Sequence, residues 1–177
     1  MYEAIEIAKY FLNKDPKRTY FNHNLITRQG IGGEQKFYEG NAKLNKFLHI
    51  AQELYIARTG KQLISDDFYA FTHGAIVDSV RNEFNVRLYK TGILDVNITD
   101  EETKDFLDRI YNILKSASID DLIELSHEDD EWQEKSRATQ KTQQKMNFMK
   151  NAIVYKERFS DALKYMYKDK EVHSINV

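Results

Sequence analysis

Apolar residues recur at steps of three and four between Leu44 and Tyr55, and this is the clearest helical pattern in the chain. An α-helix turns once in 3.6 residues, so the pattern predicts a helix with an apolar stripe facing a core. Asn41 is its predicted N-cap, and Gly60 is predicted to end it. Further stretches with helical spacing are Tyr2 to Asn13, Ile76 to Leu88, Phe106 to Leu114, and one or two segments between Met146 and Tyr167.

Residues that form turns are scarce, and this also favours helices. The 177-residue chain contains 1 Pro and 7 Gly, fewer than a sandwich or barrel with many turns is expected to use. Its 41% hydrophobic residues are enough for the core of one domain. We predict a mainly α fold in which residues 1–177 form a single compact domain of about six to eight helices. A short β-hairpin or extended segments are compatible with this fold.

The ends of these elements are predicted from their flanking residues. Pro16 biases Asp15 away from helical angles and is expected to stop the first helix. The stretch from Lys17 to Gly40 is predicted as a long loop, with short extended pieces at Arg18–Phe21 and Lys36–Tyr38. An extended segment is also predicted at Asp67–Phe71. The predicted N-caps of two later helices are Thr99, in a capping box with Glu102, and Ser118.

Composition excludes several classes of protein. The chain has 0 Cys, which removes disulfides, cysteine nucleophiles and thiolate metal sites. The first residues lack the apolar core of a signal peptide, and no span of about 20 apolar residues occurs, so we expect a cytoplasmic protein with no membrane partner. A formal charge of -2 offers no global attraction for nucleic acid.

The glycines and histidines match no known cofactor or metal motif. Gly30 to Gly33 lack the Lys-Ser/Thr of a phosphate-binding loop, and no pair of histidines has the spacing of a zinc helix. His49 is interpreted as a hydrogen-bonded histidine at the edge of the core rather than a ligand. We therefore predict no cofactor and no bound metal.

The string from His127 to Trp132 places four consecutive carboxylates between an imidazole and the only tryptophan. A histidine beside Glu128 could transfer protons in a small hydrolase-type enzyme, and the acids could bind a cation. The spacing does not match a calcium loop, and no nucleophile is identifiable. Acids at a helix terminus beside a packed indole are the simpler interpretation.

The segment 133–150 contains five basic residues against one acid, Glu134, for a net charge of +4. It could bind nucleic acid weakly, which leaves a nucleic-acid-binding regulator as an alternative. A solvated helix is the simpler interpretation, because most of the segment has no aromatic residues to stack on bases.

Three stretches together resemble one family of bacterial and phage proteins. They are Ala4 to Leu12, then Lys43 to Gln52 continuing through Thr59–Ile64 to Asp67–Gly74, and last Ile119 to Glu128 followed by Trp132. This order of motifs is similar to the Panacea domain of SocA-like antitoxins, over about residues 4–135. Residues 136–177 are then a C-terminal helical extension. The family-motif positions, whose role is unassigned, are Lys43, Asn45, Lys46, Phe71, His73, Gly74, His127, Glu128 and Trp132.

The resemblance implies a function that composition does not. Members of this family are described as antitoxins that neutralise a toxin by direct binding, and one member is described as an adaptor that delivers its toxin to a protease. The implied role is a phage-associated, non-enzymatic, protein-binding module whose partner is a cognate toxin, with a homo-oligomer left open. The chain departs from the family pattern at His73-Gly74-Ala75, where Tyr-Gly-Pro is common, and at Glu131, where proline is usual before the tryptophan.

Overall fold

The computed structural model describes residues 1–30, 32–138 and 144–170, and these residues are mainly helical. The α-helices, in chain order, are α1 (Ala4–Lys14), α2 (Glu39–Thr59), α3 (Asp78–Glu83), α4 (Glu101–Leu114), α5 (Ile119–His127), α6 (Asp130–Ala138), α7 (Ala152–Arg158) and α8 (Ser160–Met166). A π-helical turn, Phe84–Leu88, continues α3, and a 3₁₀ turn, Phe148–Asn151, precedes α7. The predicted mainly α fold is confirmed.

Two small antiparallel sheets complete the described fold. The strands are β1 (Leu25–Gly30), β2 (Gly33–Tyr38), β3 (Tyr69–Phe71), β4 (Gly74–Ile76) and β5 (Gln144–Lys145). β1 and β2 form a hairpin, and β3 lies between β4 and β5 in the second sheet.

The helix α2 lies at the centre of the domain, in contact with α1, α4, α5, α7 and β4. The ring of Phe47 meets Phe11 and Phe21 edge-on, with centroids 5.4 and 5.0 Å apart. The predicted apolar stripe from Leu44 to Leu54 is buried, as expected. Because neighbours surround α2, several of its polar side chains are buried as well, and these build the site described below.

Several predicted boundaries are confirmed. α1 ends at Lys14, and the carboxylate of Asp15 accepts hydrogen bonds from the backbone N–H groups of three residues beyond Pro16. Gly60 ends α2 with φ of 73°, the left-handed conformation that glycine adopts without a Cβ penalty. Ser118 caps α5 by accepting a bond from the N–H of Asp121.

The predicted loop from Lys17 to Gly40 is wrong, because β1 and β2 form a hairpin there. Lys36–Tyr38 is extended, as predicted, whereas Arg18–Phe21 is irregular, with bends, and forms no strand. Asn41 is not the N-cap of α2, since the helix begins at Glu39. The Asn41 side chain instead donates to the Arg81 carbonyl oxygen and to Oδ1 of Asn85.

Two further predictions need correction. The N-cap of α4 is Asp100 rather than Thr99, and its carboxylate accepts from the N–H groups of Glu102 and Thr103. Segment 133–150 is not one helix. α6 ends at Ala138, and the next described elements are β5 and the 3₁₀ turn. Lys141 lies outside the described residues. Among the described helices, none is long and apolar enough to cross a membrane.

Candidate functional site

The turn between β3 and β4 packs directly on α2 and α5 through Gly74. A Cβ atom added to Gly74 would lie 2.7 Å from Nζ of Lys46 and 2.7 Å from Oγ of Ser126. The φ of Gly74 is 113°, a value that other residues rarely adopt. Gly74 is therefore required both by the backbone conformation and by the close approach of Lys46 and Ser126.

Two side chains from the junction of α5 and α6 hold the same turn. Nε2 of His127 donates to the carbonyl oxygen of Thr72 at 3.1 Å, and Nε1 of Trp132 donates to the carbonyl oxygen of Phe71 at 2.8 Å. The two rings stack on each other, with centroids 3.9 Å apart. We call this arrangement of His127, Trp132 and the turn at residues 71–74 the clamp.

The buried amine of Lys46 lies under this turn. Lys46 is 1% exposed, and within the described residues its ammonium makes no hydrogen bond and no ion pair. Burial lowers its pKa to about 7, because a charged amine is poorly stabilised away from water. An uncompensated buried cation of this kind is unusual in a folded protein.

A cleft of about 540 Å³ opens beside Lys46, between the β1–β2 hairpin, the first turns of α2, and the β3–β4 turn. Aromatic and basic side chains line much of it, and none of its described lining residues is an aspartate or glutamate. The aromatic and basic lining side chains include Phe37, Tyr38, Phe71, Lys36, Lys46 and Arg81. The cleft therefore presents flat rings and positive charge to a ligand.

His73 is a second polar group at the wall of this cleft. Its ring lies 5.6 Å from that of Phe37, and its Nε2 is buried without a hydrogen-bond partner in the described structure. Burial, followed by the nearby charge of Lys46, lowers the pKa of His73, so the ring is neutral near pH 7. Cleft and turn thus share two side-chain nitrogen atoms, of Lys46 and His73, that have no partner among the described residues.

Asparagines fix the wall of the cleft that α2 provides. The Asn45 side chain donates to Asn41 and accepts from the backbone N–H of Val77 at 2.9 Å, which ties α2 to the end of β4. Lys43, one turn from Lys46, pairs with Glu39 at 3.1 Å. Of the three buried lysine and arginine side chains in the described structure, Arg18, Lys43 and Lys46, Lys46 is the one without a partner.

A second cluster, deeper in the core, joins α2 to α6 and α7. Nε2 of His49 lies 2.7 Å from carboxylate oxygens of both Glu53 and Asp129. The Tyr155 hydroxyl donates to Asp129 at 2.8 Å, and Arg158 donates to Glu53 at 2.6 Å. We call these five residues the buried charge cluster. Burial alone lowers the pKa of His49, but the two carboxylates reverse this and raise it.

The sequence analysis placed His49 at the edge of the core with a hydrogen bond, and the hydrogen bond is confirmed. His49 is nevertheless fully buried, and Asp129 is not simply a solvated acid at a helix terminus. One oxygen of Asp129 does accept from the N–H of Glu131 at the start of α6, while the other meets His49. The spacing of His49 and Glu53, four residues apart on α2, was the available signal for this pair.

By residue type, His49, Glu53 and Asp129 could hold a metal ion. Ligand atoms around a tetrahedral zinc with bonds of about 2.0–2.2 Å lie roughly 3.3 Å apart. The 2.7 Å separation between His49 and Asp129 is that of a charge-assisted hydrogen bond, and the equal distance from His49 to Glu53 is a close ion pair. Tyr155 and Arg158 supply further donors to the same carboxylates, so the geometry fits a proton on His49 better than a metal.

Several described residues of the two alternative functions have other partners. His127 donates to Thr72, and burial lowers its pKa to about 4, which makes the ring a weak base. Its sequence neighbour Glu128 is exposed. In the basic segment, Lys145 pairs with Asp67 and Lys150 pairs with Glu131 and Glu134, which reduces the positive charge available to nucleic acid.

Of the nine family-motif positions, the structure brings Lys46, Phe71, His73, Gly74, His127 and Trp132 together at the clamp and cleft. Asn45 supports the cleft wall, whereas Lys43 and Glu128 stand apart from it. No curated protein and no solved structure matches the chain. A family model described as "Antitoxin SocA-like, Panacea domain" matches residues 44–133, just over half of the chain, and this range contains the clamp and Lys46. The chain therefore belongs to the SocA-like antitoxin, or Panacea domain, family.

Proposed function

We propose that this protein is the antitoxin of a toxin–antitoxin system and neutralises a partner toxin by binding it directly. Membership of the SocA-like antitoxin family over residues 44–133 is the observation that carries this proposal. The proposed role is non-enzymatic, and the engagement of His127 within the clamp supports that part. The domain is then a scaffold whose surface, rather than a reaction centre, is selected for function.

Exposed apolar side chains on the described surface are the first candidates for contacts with the toxin. Large apolar residues that are at least half exposed include Leu25, Val86, Ile93 and Ile153. Protein interfaces draw most of their binding energy from a few such anchors, and each contributes about 2 kcal/mol or more. A glutamate placed singly at each of these positions maps the contact surface, because a charge at the interface weakens binding without disturbing the core.

The test begins with the open reading frames that flank the gene. Each is expressed alone under an inducible promoter, and a frame that stops growth is then co-expressed with this protein carrying an affinity tag. We expect the tagged protein to restore growth and to retain the toxin on the affinity column. Restored growth without a complex, or a toxin that stays active beside folded antitoxin, would count against direct neutralisation.

Removal of the toxin by a protease is a separate version of the same proposal, since one family member is described as an adaptor. Toxin half-life, measured after protein synthesis is blocked, distinguishes the two versions. Direct neutralisation leaves the half-life unchanged or longer when the antitoxin is present. A half-life that shortens only when the antitoxin is present indicates delivery to a protease.

A further inference from the structure

The unpartnered amine of Lys46 sets the cleft apart from the rest of the buried surface. Arg18, another buried cation, donates to the carbonyl oxygens of Leu88, Leu12 and Asp15, whereas Lys46 has no such acceptor among the described residues. Burying an ammonium without a counter-charge destabilises the fold, so a group kept in this state points to a missing anion. Lys46 lines the cleft, which gives an anion a route to it.

The second polar group at the cleft leads to the same conclusion. Nε2 of His73 is buried and has no partner in the described structure, and His73 lines the same cleft as Lys46. Lys36, also on the lining, is exposed and makes no ion pair within the described residues. Three nitrogen atoms from β2, α2 and the β3–β4 turn are thus free to meet one anionic group.

The remaining lining indicates what the anion is attached to. Phe37, Tyr38 and Phe71 line the cleft with flat rings, a type of surface that packs well against planar ring systems. One face of Tyr38 already stacks on His23, and Arg81 lies over the Phe71 ring, so a ligand ring meets the remaining faces and edges. The volume of about 540 Å³ lies within the usual range for small-molecule sites. A phosphate monoester carries a charge between about -1.5 and -2 near pH 7 and three acceptor oxygens, which suits several converging donors better than a single carboxylate does.

We propose that the cleft beside Lys46 binds a small phosphate monoester with a flat ring, of the size of a nucleoside monophosphate. The phosphate lies against Lys46, His73 and Lys36, and the ring lies among the aromatic side chains. This inference goes beyond toxin binding and does not depend on the proposed function. It gives the family-motif positions Lys46 and His73 a shared role in ligand recognition.

A bound phosphate also changes the protonation of Lys46. Its negative charge opposes the effect of burial and raises the Lys46 pKa, so the amine takes up a proton on binding near neutral pH. The charged and titratable groups around Lys46 and the cleft are His73 on the β3–β4 turn, His127 on α5, His49 on α2 itself, and Arg81 on α3, which pairs with Asp78. The pair of Arg28 on β1 and Asp120 on α5 lies close enough to His73 to affect its pKa. None of them is a carboxylate that faces the amine.

The experiment measures binding of AMP, GMP, CMP and UMP to the full-length protein by calorimetry. Adenosine and inorganic phosphate, the two parts of AMP, are measured separately as controls. We expect at least one nucleotide to bind with a Kd below about 1 mM and more tightly than either part. In Lys46→Met this binding weakens by about tenfold or more, whereas the control Lys43→Met, one turn away, stays within about twofold of the wild type.

Wild-type protein with isotope-labelled lysine provides a readout that needs no variant. The Lys46 side-chain resonance is expected to titrate at higher pH when the nucleotide is present. The proposal is overturned if no nucleotide binds at about 1 mM, or if Lys46→Met binds as the wild type does. It is also overturned if the Lys46 resonance is unmoved by a nucleotide that binds, or if inorganic phosphate binds as tightly as the nucleotide.

Discussion

The imidazole of His127 lies flat against the indole of Trp132, with ring centroids 3.9 Å apart and ring planes 10° from parallel. Each ring also donates to a backbone carbonyl of the β3–β4 turn, at Thr72 and Phe71. The pair therefore couples the α5–α6 junction to the turn that packs over Lys46. Its geometry favours a structural role for both rings.

We expect Trp132→Ala to lower the free energy of unfolding by about 3–5 kcal/mol, because it removes the stack, the hydrogen bond and a large packed volume. Trp132→Phe keeps a flat ring and loses the N–H donor, so it should cost only about 1–2 kcal/mol. Urea denaturation followed by circular dichroism measures both. An unchanged midpoint for Trp132→Ala would show that the indole is not a structural anchor.

A comparison of two glycines tests the close approach at the turn. Gly74 and Gly92 both have positive φ, 113° and 122°, but a Cβ at Gly92 meets nothing within 4 Å. Both alanine variants share the backbone strain of about 1–3 kcal/mol, and Gly74→Ala adds a clash with Lys46 and Ser126. We expect Gly74→Ala to be the less stable variant in thermal melting. Equal losses of stability would mean that Lys46 and Ser126 move aside freely.

The buried amine of Lys46 predicts a pH dependence with a definite sign. Its pKa is about 7 in the folded state and 10.5 in the unfolded chain, so the unfolded state binds more protons between these values. Stability from this group therefore rises with pH across that window, and the full penalty is present below pH 7. Without ligand, we expect the free energy of unfolding of Lys46→Met to exceed that of the wild type by roughly 3–5 kcal/mol at pH 6 and by little at pH 10. A difference that is constant with pH would contradict the low pKa.

The buried charge cluster predicts the opposite trend. The His49 pKa is raised from 6.5 to about 9, so its stabilising contribution is present below pH 6.5 and is lost as pH rises through about 9. His49→Gln removes the imidazolium that pairs with the buried carboxylate of Asp129, which should cost about 3–5 kcal/mol at pH 6 and less at pH 9.5. Burial raises the pKa of Glu53 to about 7, so at pH 6 the unpaired charge that remains lies on Asp129. A neutral effect of His49→Gln at pH 6 would show that the histidine is uncharged.

Local patterns were sufficient to predict the helical elements and several of their ends. The stripe from Leu44 to Leu54 has the period of a helix, and Gly60 supplies the left-handed C-cap of that helix. Pro16 prevents α1 from continuing. Each of these signals acts within a few residues, so the sequence states it directly. The capping box at Thr99 was misplaced by one residue, because Asp100 offers an equally good acceptor next to it.

The hairpin and the site depend on contacts that local patterns do not contain. The residues of β1 alternate between exposed and half-buried and none is fully buried, since the hairpin covers a cleft rather than a core. Asp129 meets His49 80 positions earlier in the chain and Tyr155 26 positions later, so its burial follows from tertiary packing alone. The motif resemblance marked Lys46 and Gly74, but only the fold shows that one packs against the other.

Growth rescue is the most direct measurement of the central claim, that this Panacea-domain protein neutralises a toxin by binding it. The toxic neighbouring frame is induced with wild-type protein or with His127→Gln, and colony counts are compared with affinity capture of the toxin. We expect both proteins to restore growth and to retain the toxin, because His127 holds a turn and carries out no reaction. Full toxicity beside folded, soluble wild-type protein would contradict the claim. A stable His127→Gln protein that no longer restores any growth would also contradict it.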